Sequence, residues 1–143
     1  MLGLTAWLCG NLYEELVVVP NFVCGDPRSS MLAFRVFFHT TNPVFFYIPL
    51  GPIILATSIL NVVASWRNLP KRRTAILAAV CVLAALLLTA WIVVHINRRL
   101  FFGPATDDLV GARALALQWL VWNVVRMGLV VSALVFLRRL ASR

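Results

Sequence analysis

Acidic residues are scarce in this chain. Five Asp and Glu stand against thirteen Lys and Arg in 143 positions, and charged residues of either sign make up only 13%. An ordinary soluble domain is roughly 25% charged, and a chain this short could not bury the apolar surface that 62% hydrophobic residues supply. A water-soluble globule and a disordered chain are therefore excluded. Cysteine is sparse too: Cys9, Cys24 and Cys81 form no CxxC and no metal-binding spacing, so dithiol redox chemistry has little support. The start of the chain lacks the basic head of a signal peptide, and the first apolar segment is expected to be retained. A net charge of +8 would suit nucleic acid, but the basic residues sit in short clusters between long apolar runs, as membrane orientation signals do. The expected partner is the lipid bilayer, with no nucleic acid.

Four apolar segments are present, at about 2–23, 44–66, 74–96 and 109–137. The third has no charge over more than 20 residues, enough to span a bilayer. The first ends in Gly25-Asp26-Pro27, a turn-forming sequence, and the second carries Pro49 and Pro52, which predict a kink. Between them a short amphipathic piece, 30–39, either lies on the membrane surface or extends the second helix. Pro70 is expected to stop the second segment, leaving Arg67, Lys71, Arg72 and Arg73 in a basic loop. The expected fold is all-α: one multi-pass domain, a four-transmembrane-helix bundle. The loop cluster and Arg138, Arg139 and Arg143 put seven basic residues at the end holding the termini. Arg28, Arg35, Arg98, Arg99 and Arg113 put five at the other. Both termini are thus expected in the cytoplasm, in a plasma membrane of bacterial type.

Ionisable groups within a span are costly and are functional candidates by default. Asn11, Glu14 and Glu15 stand at i, i+3 and i+4 on one face of the first span. Trp119, Asn123 and Arg126 stand at i, i+4 and i+7 in the fourth. At about 1.5 Å per residue, Glu14 lies about 9 Å and Asn11 about 13 Å below an outer boundary at Pro20. Counting back from Leu137 through a core about 30 Å thick puts Arg126 about 14 Å and Asn123 about 10 Å below the same boundary. The levels match. An Arg126 pair with Glu14 or Glu15 is expected, as a packing contact or as the centre of a polar pocket.

His95 falls about 31 Å along the third span, at its outer end, and His39 precedes Asn42-Pro43 near the same rim. They are either interfacial residues or a cap on the pocket. Converging with Glu14 they would match a two-histidine, one-carboxylate metal site by residue type, though not by spacing. Gly3, Gly10 and Gly128 permit close helix approach without forming a GxxxG, so homo-oligomerisation stays open.

The carboxylate late in the first span, the His39 to Pro43 entry to the second, His95 closing the third and Trp119-x-x-x-Asn123-x-x-Arg126 in the fourth resemble the anthrone-oxygenase-like family of small four-helix membrane proteins. The resemblance covers nearly the whole chain. It implies an oxidoreductase that oxidises polycyclic aromatic anthrones of polyketide pathways to anthraquinones, with molecular oxygen as co-substrate. Such chemistry asks for a base, a stabiliser of a developing oxyanion and an apolar slot. Glu14 or His95 is the expected base, Asn123 and Arg126 the stabilisers, with His39 at the mouth. Asn11, Trp119 and Phe45 or Phe46 are expected to bind the lipophilic substrate. The cofactor is either none or a metal held by His39 and His95. The rival reading is a small transporter or helper subunit whose buried charges are proton-coupled or hold an assembly together.

Overall fold

The computed structural model describes residues 1–37, 40, 43–101 and 109–142. Every regular element among them is helical: α1 (Leu2–Tyr13), α2 (Pro20–Cys24), α3 (Pro27–Phe37), α4 (Pro43–Ala64), α5 (Leu69–Ile92), α6 (Arg98–Leu100) and α7 (Leu109–Ala141). π-helical turns at Glu14–Val18 and Val93–Asn97 join α1 to α2 and α5 to α6. Four stretches are long and apolar enough to cross a membrane: Leu2–Cys24, Phe45–Ala64, Leu69–Leu100 and Val110–Ala141. The protein is an all-α bundle of four candidate transmembrane helices.

Local chemistry explains the boundaries. Pro70 does not stop a helix but sits in the first turn of α5, where a missing N–H leaves no bond unmade. Asn68 caps that turn, its Oδ1 accepting from the Lys71 N–H at 3.2 Å. The third span therefore begins at Leu69 rather than near Thr74, and Lys71, Arg72 and Arg73 ride on the helix instead of forming a loop. The first span continues through Pro20 because the preceding turn widens, with the Val19 N–H bonding the Glu14 carbonyl at 2.9 Å. Proline would otherwise crowd the carbonyl four residues back. α4 runs unbroken through Pro49 and Pro52. The amphipathic piece is a helix of its own, started by Asp26, whose carboxylate accepts from the N–H groups of Arg28 and Ser29.

α5 and α7 form the most extensive pairing in the bundle. Their buried residues follow the three–four alternation of a coiled-coil seam. On α7 the row is Ala112, Ala116, Trp119, Asn123, Arg126, Val130, Ala133 and Leu137; on α5 it includes Ala75, Ala78, Val82, Ala85 and Ile92. Two apolar clusters result. The one near the end holding the termini, labelled inner on that ground alone, joins Leu4, Trp7, Ile54, Val82, Val130 and Leu137. The outer one joins Val19, Phe22, Met31, Ile96, Phe101 and Trp119. Asn123 and Arg126 occupy the seam between them.

Candidate functional site: a polar layer between two apolar clusters

Every span contributes to the layer between the clusters. From the first come Asn11, wholly buried, and Glu14 and Glu15 on the π-helical turn. Glu15 accepts from Asn123 Nδ2 at 2.7 Å, and Glu14 Oε2 lies 3.9 Å from Arg126 Nη2. Both carboxylates therefore face the fourth span, and the pairing expected from matched depths is present. The second span supplies Tyr47, whose hydroxyl hydrogen-bonds Glu14. The third supplies Thr89, whose hydroxyl donates to the Ala85 carbonyl at 2.8 Å and accepts from Arg126 Nη1 at 3.4 Å.

Asn123 is the hub. Its Nδ2 donates to the Asn11 backbone carbonyl at 3.1 Å as well as to Glu15, and its Oδ1 accepts from Arg126 Nε at 3.0 Å and from Nη2. Each amide N–H and each oxygen lone pair of Asn123 is thus engaged. Both of its donors are taken by protein acceptors, and its oxygen faces the Arg126 guanidinium. The guanidinium carbon of Arg126 also lies 5.7 Å from the centre of the Trp119 ring, a cation–π distance.

The spare capacity lies elsewhere. Both side-chain polar atoms of Asn11 and the indole Nε1 of Trp119 are buried without a hydrogen-bond partner. Trp7 Nε1 and Asn97 Oδ1 are unpartnered likewise, and each buried polar group left unpaired costs about 1–3 kcal/mol.

The other expected residues fall at varying distances from this layer. Phe46 stands beside it, edge-on to the Tyr47 ring at 5.1 Å, and is 47% exposed. Phe45 turns outward at 64% exposed and lines nothing in the layer. His95 is exposed on the second π-helical turn, its Nδ1 3.0 Å from the Trp91 carbonyl and its ring stacked on Trp91 at 5.0 Å. It does not join Glu14 and Arg126. His39 lies outside the described residues, so its convergence with His95 is not observed; among the described residues no three His, Cys, Asp or Glu side chains gather to hold a metal ion.

An apolar groove of about 630 Å³ lies between the outer part of the first span and α3, lined by Tyr13, Val17, Phe22, Ala33 and Phe34 among others. None of Asn11, Glu14, Glu15, Asn123 and Arg126 lines the groove, so it is separate from the polar layer.

Tyr47 and Thr89 were missed from the sequence, and both left a signal. Thr89 continues the three–four row of α5 between Ala85 and Ile92, where an otherwise apolar row turns polar. Tyr47 carries the one hydroxyl in a run of aromatics, Phe45-Phe46-Tyr47, and a buried phenol needs a partner.

The family model for anthrone oxygenase matches residues 34–136, which takes in Trp119, Asn123 and Arg126 and leaves out the whole first span, with Asn11, Glu14 and Glu15. No curated protein and no solved structure matches the chain. With its four apolar helices and a match over most of its length, the chain belongs to the anthrone oxygenase family.

Proposed function

We propose that the protein is a membrane-embedded oxidoreductase that oxidises a small, lipophilic, polycyclic aromatic substrate of the anthrone type with molecular oxygen, in the plasma membrane of a bacterial-type cell with both termini cytoplasmic. The observation that carries the reading is the buried layer in which Glu14, Arg126 and Tyr47 sit beside the unpartnered Asn11 amide and Trp119 indole. Family membership supports the substrate class, and the basic-residue asymmetry supports the orientation.

The overall reaction converts a methylene flanked by aromatic rings to a carbonyl. The carbon loses four electrons to dioxygen; one oxygen atom becomes the carbonyl oxygen, and the other leaves as water with both methylene hydrogens. In this reading the Glu14 carboxylate takes the first proton, giving an anion whose charge spreads onto the ring carbonyl oxygen. Arg126 stabilises that oxygen, helped by the free N–H groups of Asn11 and Trp119. Asn123 is a positioning residue that holds the guanidinium in place. The substrate arrives from the bilayer on the side of the first two spans, past Phe46, and the apolar surroundings keep water from the anion.

The test is turnover of a hydroxylated anthrone by the purified protein in lipid nanodiscs, following quinone absorbance and oxygen uptake against spontaneous oxidation. We expect the parent to exceed the background. Glu14→Gln should lose about 10²–10⁴-fold, the usual contribution of a general base, and Arg126→Lys should be similarly impaired. A parent no faster than the background, or folded variants that keep the parental rate, would overturn the reading.

A further inference from the structure

The opposite end of the bundle, away from the proposed reaction site, holds a second cavity. It occupies about 440 Å³ where the start of the first span, the end of α4, the start of α5 and the end of α7 meet, and its walls include Asn61, Ser65, Lys71, Leu137 and Leu140. Lys71 is half-buried and Ser65 buried in the wall of this cavity. Asn61 spends one amide N–H on the Thr57 carbonyl at 2.9 Å and retains the other. An ammonium, a hydroxyl and an amide N–H beside leucine side chains suit a ligand with an anionic head and an apolar body.

Charge points the same way. The segments that build this end contribute Arg67, Lys71, Arg72, Arg73, Arg138 and Arg139, and no acidic residue: all five Asp and Glu of the chain are Glu14, Glu15, Asp26, Asp107 and Asp108. Three of these cations ride on the first turns of α5, where the helix dipole disfavours positive charge. An anion bound among them reverses that penalty. Beside the cavity, Arg72 lies 5.0 Å over the ring of Trp66, an exposed aromatic of the kind that sits at headgroup level.

We propose that this crevice binds the phosphate of an anionic phospholipid, with Lys71 as the charged contact, Ser65 and Asn61 as neutral donors, and Leu137 and Leu140 against the upper part of an acyl chain. Basic pockets between transmembrane helices take anionic headgroups by this chemistry. Free inorganic phosphate shares the charge but lacks the apolar body.

The full-length protein, exchanged into a neutral detergent, is titrated with phosphatidylglycerol, phosphatidylcholine or inorganic phosphate; native mass spectrometry counts bound lipid and thermal unfolding reads stabilisation. The expected result is retention of phosphatidylglycerol over phosphatidylcholine. Lys71→Gln should weaken it about fivefold, the share of one basic residue near an anionic surface, and Ser65→Ala by less. Arg73→Gln removes the same charge from an exposed position outside the crevice and should leave retention unchanged. Equal retention of the two lipids overturns the proposal. So does equal weakening by Lys71→Gln and Arg73→Gln, which would mean diffuse surface charge. A Lys71-dependent stabilisation by inorganic phosphate alone overturns the lipid assignment in favour of a free anion.

Discussion

The inner and outer halves of the bundle solve the same packing problem with different side chains. The inner half sets small residues along its helix seam, beside the larger Leu4, Trp7 and Ile54. Ala78, Ala85 and Ala133 line the seam between α5 and α7, Gly3 admits Ile54, and Gly51 lies against Leu86. The outer half is built on rings: Phe22 meets Phe34 and Phe101 edge-on at 6.0 and 5.3 Å, and Phe34 stacks on Phe101 at 4.8 Å. Small residues let backbones approach closely and leave little room to adjust, whereas an aromatic cluster fills a wider space and borders the 630 Å³ groove. The inner seam is the tighter frame, and the outer half is the more loosely filled part beside the groove. The polar layer is the boundary between them.

Removing the boundary should have the largest effect. Arg126→Ala would leave the Glu14 carboxylate without its cation, and breaking a buried pair in this way costs about 3–5 kcal/mol. Unfolding in a graded denaturing detergent should show it, with part of the loss recovered when Glu14→Gln is added. Equal stability of parent and Arg126→Ala would mean that the layer is solvated and does not separate two dry cores.

Overpacking sharpens the contrast between the halves. Ala85 is fully buried in the inner seam, and Ala85→Leu should cost about 1–3 kcal/mol through displaced helices. Ile96→Val in the outer cluster removes one methylene and should cost only about 0.5–1.5 kcal/mol. Gly10 ties the frame to the layer, because an added Cβ would lie 2.8 Å from the Tyr47 hydroxyl oxygen and 2.9 Å from the Phe46 ring. Gly10→Ala should therefore displace Tyr47 from Glu14 and lower turnover more than stability. Gly128→Ala is the control, since no atom lies within 4 Å of its added Cβ.

The difference between the halves also explains what the sequence disclosed. Four long apolar runs specify four spans, because no other arrangement hides them. Trp119, Asn123 and Arg126 declare one face through their spacing, and depth alone brings Arg126 to Glu14. The π-helical turn was not legible, since it answers Pro20 through backbone geometry and leaves no mark in residue type. Nor was the exhaustion of Asn123, which depends on four hydrogen bonds to three residues on two spans. Phe45 and Phe46 are adjacent and equivalent as letters; only the helix phase set by Gly10 and Tyr47 keeps one beside the layer and sends the other outward. His95 satisfies its Nδ1 on its own helix, through Trp91, a local bond that depth arithmetic does not anticipate.

The smallest expected effect lies at the outer rim, where Asp26 starts α3. The N–H groups of Ser29 and Arg28 bond its carboxylate and hold its pKa below the ordinary 3.8, the Ser29 bond most strongly. A carboxyl with a depressed folded-state pKa contributes stability that is present above the unfolded value and lost as pH falls through the folded one. Acidification below about pH 4 should therefore loosen α3 first, and with it the Phe34 wall of the groove, while the inner half stays intact. Hydrogen exchange of α3 amides, corrected for intrinsic rates, should show protection falling in that window. Asp26→Asn still offers an oxygen to cap the helix, so protection near neutrality should change little and its dependence on acid should vanish. If the variant keeps the parental acid response, the rim titrates through another group and the outer half owes nothing to this cap.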